Sequence, residues 1–224
     1  LDTKHCLAGE GPVWDVAEQA LYFVDIVGKV VHRFDPAKGT TQSWAVPAVI
    51  GSMALRAQGG AIVSLPDGVH ALDFASGAVT PLALPQGVDP RVQFNDGKVD
   101  RRGRFIVGST DTKIQEAIGN VYSLAADHTL SVIDTGIFIS NGPCWSPDGR
   151  SIAFVRDCQV LRLEELIGTE RKEQTRFRKD EEVWVMNADG TEPRRVARGG
   201  WPWWSKDATH IYYHSRLEEA LCSI

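Results

Sequence analysis

The stretch Trp145-Ser-Pro-Asp-Gly-Arg-Ser-Ile-Ala-Phe-Val155 contains the unit that decides the fold. In this stretch a hydrophobic residue precedes a turn containing Pro, Asp and Gly, and the turn leads into a short apolar segment, Ser151 to Val155. Equivalent apolar segments, each after a polar or Gly-containing turn, are Ala20 to Asp25, Ala61 to Ser64, Arg104 to Gly108 and His210 to His214. The recurrence of such short strands predicts a repeated β unit.

Each unit contains more than this one strand. Four of the apolar segments are followed by another alternating strand, at Lys29 to Phe34, Gly68 to Leu72, Asn120 to Leu124 and Glu182 to Asn187. The hydrophobic residues before the first turn align as Trp14, Leu55, Val99, Trp145 and Trp204. We therefore predict an all-β fold, a single five-bladed β-propeller of four-stranded blades over residues 1–224. Two unrelated β-sandwich domains would not explain the common register.

The two ends of the chain and one long insertion complete this interpretation. Only 24 residues follow Gly200, which is enough for about three short strands. We expect Leu1 to Leu7 to supply the outer strand of the last blade and to close the ring. A charged insertion within Leu163 to Glu182 should link the second and third strands of blade four. It is either a solvated loop or short helix, or an arm that docks a partner.

The composition restricts the possible partners. The net charge is −5 and the hydrophobic share is 43%, so nucleic acid and anionic membranes are not expected partners, whereas a small molecule or a protein surface is. No long apolar run and no signal-peptide pattern is present, which predicts a cytoplasmic chain, and we expect a monomer. The four cysteines, Cys6, Cys144, Cys158 and Cys222, lie far apart and should be free thiols. A Cys6–Cys222 disulfide between the two ends is the alternative.

A column of aligned residues marks the candidate site. Four positions before each aligned hydrophobic residue stand Glu10, Gly51, Asn95, Asn141 and Gly200. The first strands of propeller blades line the central channel, so these residues should face one another. Glu10, Asn95 and Asn141 offer oxygen ligands of the kind that Ca²⁺ or Mg²⁺ prefers, and the two glycines should leave openings for water or substrate. Polar residues that merely hydrate the channel are the alternative.

Other residues give weaker signals. Asp96 and Ser140 could anchor the column or simply cap turns. His210 and His214 share one strand face but lie about 13 Å apart, too far for one metal. At least two rings of the Trp201-Pro-Trp-Trp204 run should pack between blades. No G-x-S-x-G elbow and no phosphate-binding glycine loop is present, which argues against α/β-hydrolase and nucleotide enzymes.

Three motifs resemble a known family. Gly9-Glu-Gly-Pro-Val-Trp14, Phe94-Asn-Asp-Gly-Lys-Val-Asp100 and Ile139-Ser-Asn-Gly142 are similar to motifs of the gluconolactonase, regucalcin and senescence-marker-protein family of six-bladed propellers, over about residues 1–150. The resemblance implies that Glu10 and Asn141 are metal ligands and that Asn95 holds substrate or a metal-bound water, with Asn95 and Asp96 as candidate catalytic residues. It also implies a divalent metal, Ca²⁺ first and Zn²⁺, Mn²⁺ or Mg²⁺ otherwise, and hydrolysis of sugar lactones to aldonic acids.

The chain departs from that family at two positions. Gln93 stands where the family usually has a substrate-contacting arginine, and Gly200 stands where it has its remaining carboxylate ligand. Fewer charged ligands weaken a hard-cation site, so we expect weakened or absent lactonase activity.

The last third resembles a different family. From about residue 147 to 224, Ser151-Ile-Ala-Phe-Val-Arg156 and Val183-Trp-Val-Met-Asn-Ala-Asp-Gly-Thr191 look like repeats of TolB-type propellers, which bind proteins or decorate peptidases. The junction suggests a chimera of gluconolactonase-like blades (1–150) and TolB-like blades (151–224). A non-catalytic hybrid scaffold or protein-interaction module is therefore the alternative function.

Overall fold

A computed structural model describes residues 6–156, 181–215, 218 and 220–224 of the 224-residue chain. These residues form nineteen strands in five antiparallel sheets. Blade one contains β1 (Gly9–Asp15), β2 (Ala20–Asp25), β3 (Val30–Asp35) and β4 (Thr40–Ala45). Blade two contains β5 (Ser52–Leu55), β6 (Ala61–Leu65), β7 (Gly68–Leu72) and β8 (Val79–Ala83).

The remaining three sheets follow in chain order. Blade three contains β9 (Val92–Val99), β10 (Phe105–Asp111), β11 (Gly119–Leu124) and β12 (Leu130–Ile137). Blade four contains β13 (Asn141–Trp145), β14 (Ser151–Val155), β15 (Glu182–Asn187) and β16 (Arg194–Arg198). The described part of blade five contains β17 (Gly200–Trp204), β18 (Ile211–Ser215) and β19 (Ala220–Ser223).

This arrangement confirms the predicted five-bladed β-propeller. In every sheet consecutive strands are neighbours, and residues from the first strands or their approaches in all five blades line one central cavity. The predicted second and third strands agree with the observed ones to within a few residues, because alternating apolar residues between turns specify an antiparallel ladder locally.

Two predictions fall largely outside the described residues. The closing outer strand was assigned to Leu1 to Leu7, of which residues 1–5 are not described, and the described part of the last sheet has three strands. The insertion does connect the second and third strands of blade four, because β14 pairs with β15, but residues 157–180 are not described. Within the described part of the chain, no helix is long and apolar enough to span a bilayer.

Side chains packed between neighbouring sheets hold the blades together. Between blades one and two, for example, Phe74 stacks on both Tyr22 and Trp44, and Trp44 Nε1 donates to the Phe74 carbonyl at 2.8 Å. Of the tryptophan run, only Trp204 joins a core cluster among the described residues; Trp201 and Trp203 remain 56% and 43% exposed. The expectation that at least two of these rings pack between blades was wrong, since Trp203 stacks on Tyr212 within its own blade.

The described cysteines are free thiols, as predicted. Cys6, Cys144 and Cys222 form no disulfide, so the alternative Cys6–Cys222 bond is not present. The Cys222 thiol instead donates to Glu218 Oε2 at 2.8 Å, and Cys158 lies outside the described residues.

A buried aspartate fixes the approach to the first strand. Asp25, at the end of β2 and 6% exposed, accepts hydrogen bonds from the backbone N–H groups of Leu7, Ala8 and Gly28 at 2.9–3.0 Å. Burial alone would raise the pKa of Asp25, but these three donors outweigh it and the pKa is lowered overall. The carboxylate thereby anchors the segment that leads into Glu10.

Asp25→Asn should destabilise the fold by about 2 kcal/mol or more, because the amide cannot accept all three buried donors. A lowered folded pKa stabilises the native state above the unfolded pKa of about 3.9, and this stabilisation is lost as the pH falls through the folded pKa. In urea unfolding, the free energy of unfolding of wild type should therefore exceed that of the variant above about pH 5, and this difference should become smaller below about pH 4. Asp15→Asn, which removes a similar acceptor from a surface turn, is the control. A difference independent of pH would contradict this account.

Candidate functional site

The predicted site residues lie together at one end of the propeller. Glu10, Asn95, Asp96 and Asn141 line a single cavity of about 260 Å³. The structure thus brings together four residues that are separated in sequence by up to 131 positions, since 141 − 10 = 131. A concave cavity with a few convergent polar groups is typical of a small-molecule site.

A proline-containing β-bulge turns the first strand of three blades at this cavity, and a further bulge, in blade three, lies between Phe94 and Gly97. The pairing register shifts between Glu10 and Val13 in blade one, between Asn141 and Cys144 in blade four, and between Gly200 and Trp203 in blade five. Each of these three shifts contains a proline, which cannot donate to the ladder. Bulges re-aim neighbouring side chains, and here they lie beside three positions of the aligned column.

The residue after the column position has left-handed backbone in each of the three proline-containing bulges. Gly11 has φ +56°, Gly142 has φ +58°, and Trp201 has φ +51°. Glycine adopts this conformation without penalty, whereas for a bulky residue it is strained. Trp201 has this strained backbone conformation. Its ring lines the cavity and packs edge-on against the His214 ring, with the ring centroids 5.6 Å apart. Backbone strain of this kind concentrates at functional sites.

The three candidate oxygen ligands, Glu10, Asn95 and Asn141, differ in their hydrogen bonds. Asn95 Nδ2 donates to the Ser140 carbonyl at 2.9 Å and to Asn141 Oδ1 at 3.1 Å, which fixes both amides relative to each other. Asn95 Oδ1 accepts no hydrogen bond from the described residues. The exposed Glu10 carboxylate likewise forms neither a hydrogen bond nor an ion pair with the described part of the chain. The oxygens of both groups can therefore coordinate a cation or accept a hydrogen bond from a bound molecule.

Asp96 joins two blades. Its Oδ2 accepts the N–H of Gly142 and its Oδ1 accepts the N–H of Gly97, both at 2.8 Å. Burial raises the pKa of Asp96, and the negative charge of Glu10 raises it further. The two N–H donors and the positive charge of Lys98 only partly offset these effects. The carboxylate holds the Gly142 turn, and with it Asn141, against β9.

Sequence reasoning missed two serines that fix Asn95. Ser52 Oγ and Ser64 Oγ both donate to the Asn95 carbonyl, at 2.9 and 3.2 Å, and lie 2.8 Å from each other. Both are buried. Ser52 follows Gly51 of the aligned column directly, and that position was the available signal. These hydroxyls connect blade two to the site.

Neither glycine of the column leaves an opening, which corrects the expectation from the sequence. A Cβ at Gly51 would lie 2.5 Å from the Asn95 carbonyl oxygen, so blade three already fills that space. A Cβ at Gly200 would lie 2.5 Å from Glu181 Oε2. Glu181 is 7% exposed and lines the same cavity, so sequence reasoning missed a carboxylate at the site.

The donor set suits a hard divalent cation. Three carboxylates, Glu10, Asp96 and Glu181, and the amides of Asn95 and Asn141 line one cavity, and these are the oxygen ligands that Ca²⁺ and Mg²⁺ take. The described residues that line it include neither a thiol nor an imidazole, the softer ligands that zinc commonly takes. Gln93, two residues before Asn95, instead lines a neighbouring cavity with Asp67 and Thr112.

Comparison with known proteins identifies relatives of this chain. Residues 8–176 match the family described as SMP-30/Gluconolactonase/LRE-like region. Regucalcin of Xenopus laevis is 39% identical over 152 residues, which are 66% of this chain and 51% of that protein. A 6-deoxy-6-sulfogluconolactonase of Pseudomonas putida is 38% identical over 150 residues, again 66% of this chain and 51% of that protein. The chain spans about half the length of the curated relatives it matches.

Solved structures support the fold. A calcium-binding regucalcin from Agrobacterium tumefaciens superimposes with a TM-score of 0.73 at 21% identity, over 97% of this chain and 70% of that one. TolB from Acinetobacter baumannii superimposes with a TM-score of 0.58 at 13% identity, over 93% of this chain and 49% of that one. At these identities the likeness concerns the propeller fold alone. Because the family match covers three quarters of the sequence, 169 of 224 residues, the chain belongs to the SMP-30/gluconolactonase/LRE-like family.

Proposed function

We propose that this propeller is a metal-dependent hydrolase of sugar lactones with reduced activity. The observation that carries the proposal is the convergence of Glu10, Asn95 and Asn141, from three blades, on one cavity. Glu10 and Asn141 would be direct ligands of a divalent cation, Ca²⁺ first, and Asn95 would hold the substrate beside it. When bound, the cation would supply Lewis-acid chemistry to the lactone carbonyl.

The chain's own residues would bind and orient the substrate. Hydrolysis adds water across the ester bond of the lactone and yields the aldonic acid. Asn95, held by Ser52, Ser64 and Ser140, presents an amide of fixed orientation to the substrate. Asp96 acts as a positioning residue for the Gly142 turn. The exposed Trp201 ring at the cavity offers a flat apolar face, which suits the C–H face of a sugar ring.

Reduced activity follows from the position of Gln93. A neutral amide replaces the arginine that the family resemblance implies there, and it lines a separate cavity. A substrate oxygen would therefore lose a charge-assisted hydrogen bond, of the kind worth about 1.5–3 kcal/mol, or roughly one to two orders of magnitude in rate. We further propose that the chain acts as a cytoplasmic monomer without nucleic-acid or membrane partners.

The test combines cation binding with turnover. With excess Ca²⁺, Mn²⁺, Zn²⁺ or Mg²⁺, the purified chain should hydrolyse gluconolactone measurably faster than Glu10→Gln, and calorimetry should show one cation site that Asn141→Ala weakens at least tenfold. Thermal unfolding should confirm that both variants are folded. If wild type hydrolysed gluconolactone no faster than Glu10→Gln, the proposed lactonase activity would be refuted.

The second candidate is a non-catalytic hybrid scaffold or interaction module. It is favoured by curated matches that cover only about two thirds of the chain. We infer that residues 151–224 derive from TolB-type repeats joined to the gluconolactonase-like residues 1–150, in one propeller domain. This candidate would be favoured if wild type gave no heat in calorimetric titration with any of these cations at millimolar concentration and hydrolysed no gluconolactone.

A further inference from the structure

The Glu181 carboxylate lies where a side chain at position 200 would be. Its Oε2 is 2.5 Å from the ideal Cβ position of Gly200, and its Cδ and Oε1 are 3.2 and 3.8 Å from it. Aspartate places its own carboxylate oxygens two bonds from Cβ, about 2.4 Å away. Glu181 thus delivers a carboxylate oxygen at the distance from position 200 that an aspartate there would give, while the absence of a side chain at Gly200 leaves the space.

The antiparallel register of blade four explains this position. Asn141 pairs with Val155 and Val155 pairs with Val183, so the residues just before Val183 emerge at the same end of the blade as Asn141. The Glu181 carbonyl then accepts the N–H of Gly199 at 2.8 Å, which ties the start of β15 to the residue before β17. Glu181 is therefore held at the junction of blades four and five, next to the aligned column.

Charge favours a cation between these groups. The amides of Asn95 and Asn141 are neutral, and the Asp96 carboxylate accepts the N–H groups of Gly97 and Gly142. Glu10 alone would therefore contribute one negative charge from the column, whereas Glu10 and Glu181 together contribute two. The charge of the ligands is a main determinant of affinity at such sites.

We propose that Glu181 is a carboxylate ligand of the cation site and takes the place of the missing side chain at position 200. The proposal rests on the cation site of the proposed function and changes one expectation from the sequence. The decisive carboxylate is not lost but is supplied by the residue that precedes β15. The affinity for the cation is then retained. The reduced activity results from the substrate contact that is lost because position 93 is a glutamine.

The experiment compares two neighbouring glutamates by calorimetric titration with Ca²⁺ and with Mn²⁺. Glu181→Gln keeps the shape of the side chain and removes its charge, and it should raise the dissociation constant at least tenfold. The control is Glu182→Gln, since Glu182 pairs with Arg195 at 2.6 Å away from the cavity, and its dissociation constant should stay within about twofold of wild type. Glu181→Asp, which retracts the carboxylate by one methylene, should give an intermediate value.

The possible outcomes separate this inference from the proposed function. If wild type bound the cation with an affinity that Asn141→Ala lowered and that Glu181→Gln left unchanged, this result would overturn the role of Glu181 alone. A wild type that binds no cation overturns the cation site and this inference together. The increase in unfolding temperature on adding Ca²⁺ gives a second readout, and it should be smaller for Glu181→Gln than for Glu182→Gln.

Discussion

Gly200→Ala is expected to weaken cation binding at least tenfold although it adds only a methyl group. The new Cβ would lie 2.5 Å from Glu181 Oε2, well inside contact distance, so the carboxylate must move out of its place. The substitution changes no charge, and its effect would therefore be steric displacement of a ligand. We expect it to match the effect of Glu181→Gln.

A compensating pair makes this prediction sharper. Glu181→Ala empties the space beside position 200, and Gly200→Asp in the same chain returns a carboxylate to it from β17. The double variant should bind Ca²⁺ within about threefold of wild type, whereas Glu181→Ala alone should remain at least tenfold weaker, so the second substitution should restore affinity by at least about threefold, or about 0.7 kcal/mol. Gly9→Ala is the control, because its Cβ would meet only ordinary contacts, the nearest being Cys6 Cβ at 3.4 Å. Additive effects of the two substitutions would show that the carboxylates do not share one place.

Gly51→Ala should cost about 3 kcal/mol of stability. Its Cβ would lie 2.5 Å from the carbonyl oxygen of Asn95 and 2.9 Å from both its carbonyl carbon and its Cα. These are backbone atoms held by Ser52 and Ser64, so they cannot rotate away as a flexible side chain could. In a domain of this size the unfolding temperature should fall by about 6–12 °C.

The same substitution should disturb the site. Moving the Asn95 backbone changes the geometry of the Asn95–Asn141 contact, so cation affinity should fall together with stability. Thermal and urea unfolding measure the first effect and calorimetry below the unfolding transition measures the second, with Gly9→Ala again as the matched glycine control. A change in unfolding temperature below about 2 °C would contradict the close approach of blades two and three.

The sequence predicted the strands well and the site in part. The strands followed from alternation and turn residues, which act over a few neighbouring residues. Glu10, Asn95 and Asn141 were expected to lie together because they recur at fixed offsets from the turn, and repetition converts sequence position into spatial position. Asp96 was singled out as the neighbour of Asn95. Ser52, Ser64 and Glu181 were missed because their contacts cross between strands or blades. The partial exposure of Trp201 and Trp203 was also missed, because local patterns do not show which ring a neighbouring blade covers.

By itself, then, the sequence determined the repeat, the five blades and the column of residues at the start of their first strands. Only the tertiary structure decided what occupies the two glycine positions of that column. Glycine has no side chain whose character could reveal its neighbour, and the atoms in question come from other strands, the Asn95 backbone beside Gly51 and the Glu181 carboxylate beside Gly200. Because close packing fills such spaces with whatever the adjoining blades bring, a position that reads as an absence in the sequence becomes the place of a carboxylate in the fold.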